Sequence, residues 1–142
     1  MAAAGMICFA YGIGQTEANL LLTARFNGAA LAVQASYYLG LFTATPSDTG
    51  GGTETVYTNY LRILITNNAT NYATVSAGAV NVATVTTFAT CGATGATLTQ
   101  AGLFTLSSAG VLAYWGDLTA SQVIANGNTP SFAANSITVQ MV

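Results

Sequence analysis

The sequence predicts an all-β fold, a single β-sandwich or jelly-roll-like domain with one short N-terminal helix. Short apolar runs separated by turn-forming residues recur along the 142 residues, as expected for many short strands. The C-terminal end is the clearest case, because Ile137, Val139 and Met141 alternate with Thr138 and Gln140, the period of a half-buried strand. Such strands need a second sheet or another subunit to cover their apolar face.

The composition indicates a component of an assembly. Only 4% of the residues are charged, compared with about 25% in ordinary soluble domains. There is no His or Lys, so the surface must consist largely of uncharged small and polar residues. We expect such a surface to lie against other subunits, and a soluble secreted domain with a Thr-rich coat is the alternative. Two isolated arginines cannot form a basic cluster, so neither nucleic acid nor an anionic membrane is an expected partner.

Residues 1–15 are interpreted as an apolar N-terminal arm and residues 16–142 as a single β-sandwich domain. The apolar run of the arm is shorter than the ~20 residues that span a bilayer and lacks the positive start of a secretory signal. Because an exposed apolar arm is prone to stick, we expect it to pack on its own domain or, preferably, on a neighbouring subunit. Its candidate contacts with a neighbouring subunit are Met6, Ile7, Phe9 and Tyr11.

A short helix is predicted over residues 16–27. Thr16 can serve as its N-cap, Glu17 lies in the first turn and Arg25 near the end, as the helix dipole favours. Asn27 and Gly28 form a standard stop. We expect this helix to dock against one end of a sheet.

Strands are predicted on both sides of a glycine-rich loop. Residues 37–42 are apolar enough for a strand buried on both faces. Residues 46–54 contain three consecutive glycines and are expected to form an exposed, flexible loop. Residues 57–66 are predicted as the next strand, with Leu61, Ile63 and Ile65 on one face and Arg62 and Leu64 on the other.

The second half of the chain is predicted to contain only strands and turns. Residues 66–71 have turn chemistry, and residues 74–97 are expected to hold two or three short strands. A meander follows, with strands at 98–104, 111–115 and 131–142.

The sequence offers little catalytic chemistry. Without His or Lys, neither ordinary acid–base catalysis nor an activated Ser or Cys nucleophile is supported. Asp48 and Glu54 could meet across their loop as a carboxylate pair or a weak calcium site, but a flexible loop places such groups poorly. We expect no enzymatic activity, metal or cofactor. Cys8 and Cys91 are expected to be two free, buried thiols.

The aromatic residues raise the possibility of a sugar-binding module. Exposed together, they could stack sugar rings, and binding would then be lost on Trp115→Ala. Aromatic side chains in strands more often form a core, so this hypothesis ranks below a structural one. The residues concerned are Tyr37, Tyr38, Tyr57, Tyr60, Tyr72, Tyr114 and Trp115.

The order of several segments resembles a family of small virion proteins of tailed bacteriophages, commonly called tail-fibre proteins. The matching segments are 38–46, 53–54, 60–62, 66–72, 98–104, 112–119, 126–128 and 132–139. The chain departs from the family pattern at Gln100, where His is frequent, at Thr105, where an acid is frequent, and near Ser121 and Gln122, where Lys is frequent. Each departure removes charge, which agrees with burial in an assembly.

The resemblance implies a structural, non-enzymatic virion protein. Proteins similar to this one can sit on the head as cement or decoration subunits, often as trimers, and a short domain without fibrous repeats suits that position. We therefore expect a homotrimeric capsid decoration subunit that bridges major capsid proteins by burying apolar surface, at about 25 cal/mol per Å². A tail or tail-fibre subunit that contacts the host is the first alternative, and a sugar-binding module is the second.

Overall fold

The computed structural model describes residues 7–8 and 12–140, with the backbone alone at Ile7 and Cys8. One helix, α1 (Gln15–Phe26), is found in this part of the chain. The strands are β1 (Ile7–Cys8), β2 (Gly12–Ile13), β3 (Ser36–Ala44), β4 (Thr53–Glu54), β5 (Ile63–Thr66), β6 (Ala79–Asn81), β7 (Thr86–Thr87), β8 (Ala96–Phe104), β9 (Leu112–Ile124), β10 (Ser131–Phe132) and β11 (Ile137–Gln140). The predicted all-β fold with one short N-terminal helix is confirmed.

Nine of these strands form one curled sheet. Its order is β4-β3-β8-β9-β1-β11-β6, with β2 paired to β9 and β5 paired to β3. Strands β7 and β10 form a separate two-stranded sheet. Neighbours are antiparallel except β1 and β11, which run parallel. The main core lies between these layers, because side chains of β3, β8, β9 and β11 pack there with Phe132 of β10 and with Phe88, which follows β7.

Glycines that face each other across the central strands β3 and β8 leave room for neighbouring side chains. Gly40 of β3 is opposite Gly102 of β8. A Cβ atom on Gly40 would lie 2.7 Å from the Phe104 ring, and one on Gly102 would lie 2.6 Å from Leu112. Since real Cβ atoms are not found that close to carbon neighbours, larger residues at these two positions would displace Phe104 and Leu112.

Two predicted strands match the structure closely. Residues 37–42 lie within β3, where Leu39 to Phe42 are buried, and residues 98–104 lie within β8. The strand predicted over residues 131–142 is divided into β10 and β11. In β11, Ile137 and Val139 are buried whereas Thr138 and Gln140 are partly exposed, so the predicted alternation is confirmed over these four residues; Met141 lies outside the described residues.

The strand predicted over residues 57–66 is shorter than expected. It begins at Ile63, because a turn closed by the Tyr60 amide and Tyr57 carbonyl occupies the preceding residues. Asn59 in this turn has a φ of 78°. The predicted faces are therefore wrong for Leu61, which is 75% exposed although it was assigned to the same face as the buried Ile65.

Helix α1 differs from its prediction at the N-terminus. The N-cap is Gly14, which has no side chain to cap the helix, whereas Thr16 lies inside the first turn. Glu17 in the first turn and Arg25 in the last turn are as predicted. With 12 residues, this helix is not one that could cross a membrane, and no other helix occurs in the described ranges.

The glycine loop is a folded turn that ends in a strand. Ser47 and Gly50 form a bridge with each other, and Gly50, Gly51 and Gly52 all have positive φ. Thr53 and Glu54 then pair with β3. Farther along the chain, the Cys91 thiol is free and buried, as predicted; the Cys8 side chain lies outside the described residues.

Candidate functional site

The residues predicted to contact other subunits lie near the N-terminus. Met6, Phe9 and Tyr11 lie outside the described residues, and of Ile7 the structure describes the backbone. That backbone pairs with β9 and β11 of the same chain. At this point the arm therefore lies in its own sheet, rather than on a neighbour as preferred from the sequence. Contact of the four side chains with another subunit stays a prediction.

Helix α1 presents apolar surface that the described part of the domain leaves uncovered. None of its residues is buried, and Leu22 and Phe26 are 55% and 77% exposed. Together with Leu31 they border an apolar hollow of about 470 Å³. The helix is held to β9 by the Tyr114 hydroxyl, which donates to Glu17 at 3.2 Å. This arrangement leaves one side of the helix available to another molecule.

Arg62 joins three segments of the domain. Its Nε and Nη2 atoms donate to the two carboxylate oxygens of Glu54 at 2.8 and 2.7 Å. Its Nη1 donates to the carbonyl oxygens of Leu106 and Ala109 at 2.8 and 2.7 Å. The guanidinium carbon lies 3.3 Å from the centre of the Phe104 ring. Such a planar, bidentate and stacked arrangement is specific to arginine.

Tyr60 connects this ion pair to the central sheet. Its hydroxyl donates to Glu54 at 2.7 Å and accepts from the Leu41 amide at 2.9 Å. Burial, followed by the neighbouring Glu54 carboxylate, raises the pKa of Tyr60 above its ordinary range. Glu54 is thus held by Arg62 and Tyr60, whereas Asp48, considered with it as a carboxylate pair, is exposed on the turn. The arrangement stabilises the fold and leaves Glu54 poorly placed as an acid or base.

A second polar network lies at the middle of β8. Gln100 is 7% exposed, and its Nε2 donates to Asp117 at 3.0 Å and to Thr45 at 2.9 Å. Its Oε1 accepts a hydrogen bond from the Thr99 hydroxyl. Because both ends of the amide are engaged, this buried polar side chain is satisfied. The network ties β8 to β9 and to the segment after β3.

A groove with tyrosine walls lies beside the turn at residues 67–75. It has a volume of about 420 Å³ and is bordered by Tyr37, Tyr72 and Tyr114, with Asn67 and Asn68 at its polar end. The rings of Tyr37 and Tyr114 meet edge to face, with centroids 5.9 Å apart. Three of the seven aromatic residues considered from the sequence are therefore brought together here.

Trp115 does not border this groove. It packs instead against the smaller cluster of Phe42, Phe104 and Leu112. The Trp115→Ala test suggested by the sequence therefore addresses a different part of the molecule.

The tyrosines of the groove are neutral phenols over the ordinary pH range. Burial is the largest cause that raises the pKa of Tyr37, Tyr72 and Tyr114. The charge of Glu17 raises the pKa of Tyr37 and Tyr114 further. A phenol whose pKa is raised serves as a hydrogen-bonding group rather than as a base. Among the described residues, no three His, Cys, Asp or Glu side chains come together to hold a metal ion.

Comparison with known proteins identifies the family of the chain. Residues 12–140 match the family model described as Podophage GP4 fiber I protein gp80. The chain belongs to this fibre protein family. The match begins in β2 and extends through the last residue of β11, so it covers the helix, the Arg62 network and the tyrosine groove. No curated protein matches the chain.

Membership in the GP4 fiber I family shows that the chain is a phage virion structural protein, as the resemblance implied. Two segments that carried the resemblance, 53–54 and 60–62, supply Glu54, Tyr60 and Arg62. A third, 98–104, supplies Gly102 and the Phe104 ring beneath the guanidinium. These family segments therefore converge on one structural centre, although they are distant in sequence.

Sequence reasoning missed the pairing of Glu54 with Arg62 and the position of Asn67 and Asn68 beside the tyrosine groove. One signal in the sequence could have indicated the ion pair. The chain has only two basic residues, and one of them, Arg62, lies two positions after Tyr60. The asparagines were interpreted only as turn residues. That interpretation is right for Asn68, whose Oδ1 accepts from two backbone amides, but it did not place them beside Tyr72.

Proposed function

We propose that the protein is a non-enzymatic structural subunit of a phage tail fibre. The observation that carries the proposal is the family match over residues 12–140, whose description names a fibre protein. The site geometry agrees with it, because the charged groups of the Arg62 and Gln100 networks bond to one another and to neighbouring elements of the domain.

The tail position replaces the capsid position as the preferred hypothesis. The expectation of a decoration subunit that bridges major capsid proteins came from the resemblance and from the short domain. The description of the matching family names a fibre protein, and nothing in it favours a position on the head. Host contact through the fibre is the corresponding role.

We further propose that copies of the chain assemble with one another, with a homotrimer as the expected state. Large apolar side chains are exposed on α1 and on several loops and strands of the described chain, among them Val56 at 89% and Leu61 at 75%. Burying about 800 Å² per partner is typical of a stable interface, and each Å² of apolar surface contributes about 25 cal/mol before the costs of association. The scarcity of charge removes much of the repulsion that would oppose such contacts.

Immunogold labelling of purified virions tests the proposal. A tail-fibre subunit gives a few gold particles confined to the tail. When the fibre is sheared off, the label should be lost from the virion and recovered with the detached fibre. Labelling distributed over the head at high copy number would contradict it and favour a decoration subunit bound to the major capsid protein. Sedimentation of the purified chain, with mass determination, tests the homotrimer separately.

A further inference from the structure

We propose that the tyrosine groove is a binding site for a neutral saccharide, with Tyr37, Tyr72 and Tyr114 as its aromatic wall and Asn67 and Asn68 as its polar end. This inference goes beyond the structural role and does not depend on where the protein sits in the virion. The inference rests on three features of the described residues: a cavity, side-chain amide groups without a hydrogen-bond partner among them, and a lining without charged residues.

The size and lining of the groove suit a small ligand. Its volume of about 420 Å³ lies within the ~300–1,000 Å³ typical of ligand pockets. Apolar side chains from β6, β8 and β11 form its floor, and the tyrosine rings form its wall. A pyranose ring presents C–H groups on its faces and hydroxyls at its edge. Its faces therefore suit the rings and its edge suits the amides.

Asn67 and Asn68 border the groove and are exposed, and each keeps one side-chain group that a ligand can bind. Asn67 Nδ2 donates to the Gln34 carbonyl at 3.0 Å, which fixes the amide and leaves Oδ1 as an acceptor. Asn68 Oδ1 accepts from the Thr70 and Asn71 amides at 3.0 and 2.9 Å, which leaves its NH₂ group as a donor. No described residue satisfies these two remaining groups. An acceptor and a donor on adjacent residues can engage neighbouring hydroxyls of one sugar.

Tyr72 adds a hydroxyl that lacks a partner. Its Oη atom is buried and forms no hydrogen bond with any described residue. Leaving a buried hydroxyl unsatisfied is unfavourable, and because Oη is closed to solvent in this structure, the Tyr72 ring must shift before a ligand hydroxyl can bond to it. The neighbouring Tyr114 hydroxyl is occupied by Glu17 and contributes mainly its ring.

The absence of charge decides which saccharides fit. None of the described residues that border the groove is an acid or a base. Glu17 lies behind Tyr114 and would repel an anion. A uronic or sialic acid would lose its hydration without gaining a counter-charge, whereas a neutral hexose would not pay that cost. Selectivity for neutral over acidic sugars is therefore expected.

Saturation-transfer NMR on the full chain tests the proposal with the methyl glycosides of glucose, galactose, mannose and N-acetylglucosamine, and with methyl glucuronide as the acidic probe. At least one neutral glycoside should bind with a millimolar Kd, and the Kd of the glucuronide should be at least about tenfold higher. The side-chain NH₂ resonance of Asn68 should shift on titration with the neutral glycoside that binds.

Two tryptophan variants locate the site. Val75 borders the groove and is 69% exposed, so Val75→Trp should obstruct it and reduce affinity about tenfold without disturbing the core. Val123 is 73% exposed on β9 and does not border the groove, so Val123→Trp is the matched control and should bind as the wild type does. Circular dichroism verifies that both variants fold.

Three results would overturn the proposal. One is that none of the four neutral glycosides binds. Another is that Val75→Trp and Val123→Trp bind equally well, which would place the sugar elsewhere. The third is that the glucuronide binds as tightly as the neutral glycosides, which would contradict selection by an uncharged lining.

Discussion

Arg62 shows how one side chain can hold together segments that are far apart in the sequence. Its side chain is 8% exposed, and it satisfies both carboxylate oxygens of Glu54 as well as two loop carbonyls. Removing one partner of a buried pair leaves the other charge uncompensated. The ion pair therefore matters more through the cost of breaking it than through its net contribution.

Replacement of Arg62 by Ala should lower the free energy of unfolding by about 3–5 kcal/mol, because Glu54 would remain partly buried without its cation. Arg62→Lys should recover only part of this loss, because an ammonium group cannot make the two parallel bonds to Glu54. Urea denaturation measures both effects. Arg25→Ala is the matched control, since Arg25 is exposed and should change stability by less than about 0.5 kcal/mol. Equal effects at the two arginines would contradict the structural role of Arg62.

Two tyrosine hydroxyls should have opposite effects on stability. The Tyr72 hydroxyl is buried without a partner among the described residues, so Tyr72→Phe should raise the free energy of unfolding by about 1 kcal/mol. The Tyr60 hydroxyl bonds to Glu54 and to the Leu41 amide, so Tyr60→Phe should lower it by about 1.5–3 kcal/mol. Thermal and urea unfolding of the two variants measure the difference, and a loss of stability in Tyr72→Phe would indicate that its hydroxyl has a partner.

The contacts of individual side chains were the feature least predictable from the sequence. Arg62 was expected to alternate with Ile63 on a strand, but local alternation carries no information about a carboxylate on another turn. Glu54 lies eight positions before Arg62, and the Phe104 ring comes from a distant strand. Only the tertiary arrangement brings them together.

At the scale of elements, helix α1 differs most from an ordinary helix of a globular domain. It has no buried residue, although its sequence contains three consecutive leucines. A helix normally owes its stability to packing of an apolar face. The exposed Leu22 and Phe26 are therefore the residues through which this element would gain further stability in an assembly.

The double substitution Leu22→Glu and Phe26→Glu should weaken self-association while leaving the fold intact. Both side chains are more than half exposed, so the isolated domain loses little, whereas an apolar interface would have to bury two new charges. Sedimentation velocity should show an increase of the monomer fraction. Val85→Glu with Val123→Glu is a control of equal charge at sites that are also exposed. If both pairs dissociate the protein equally, general charge repulsion is the cause.

Elements with strong apolar patterns were predicted from sequence, whereas those with polar patterns were not. Strands β3 and β8 are recognisable because their buried positions form continuous apolar runs. Strand β9 extends to Ile124, well beyond the predicted end at Trp115, through the exposed residues Thr119, Ala120 and Ser121. After a register shift, its backbone pairs with β8 again from Gln122 to Ile124. Side-chain hydrophobicity cannot reveal such an extension, because backbone hydrogen bonds maintain it.

At the scale of the whole molecule, the N-terminal segment completes the main sheet. Strand β1 lies between β9 and β11 and is the link that joins the two parts of the nine-stranded sheet. The sequence favoured an arm on a neighbouring subunit, because an apolar terminus without charge gives no sign of which chain it will join. Parallel pairing of β1 with β11 is a contact between the two ends of the chain, which no local pattern could predict.

Deletion of residues 2–8 should therefore destabilise the domain itself. It would remove β1 and leave unpaired backbone groups on β9 and β11, and exposed edges of this kind promote aggregation. A lower midpoint of urea unfolding and an increase in light scattering are the expected results. Deletion of residues 2–6, which retains β1, is the matched control. If both truncated chains are as stable as the full chain, the N-terminal strand does not contribute to closure of the sheet.

The tyrosines give the whole molecule a characteristic response to alkaline pH. Burial raises the pKa of Tyr57 to about 12, and it raises the pKa of Tyr37, Tyr60, Tyr72 and Tyr114 as well. Below pH 10 these groups are protonated in both the folded and the unfolded chain, so their contribution to stability is fully present. Above pH 10 the unfolded chain releases the protons first, and the free energy of unfolding falls as the pH rises.

Each such tyrosine can contribute a slope of at most about 1.4 kcal/mol per pH unit between its unfolded and folded pKa values. Urea unfolding at a series of pH values from 9 to 12, combined with the tyrosinate absorbance of the folded protein, should show stability declining while most of these phenols remain protonated. Tyr57→Phe should make the decline shallower, although it also removes the hydrogen bond to the Ala89 carbonyl and lowers stability at every pH. The chain has seven tyrosines, so tyrosinate absorbance equivalent to more than two of them near pH 10 without unfolding would show that water reaches these five hydroxyls, which would contradict their burial.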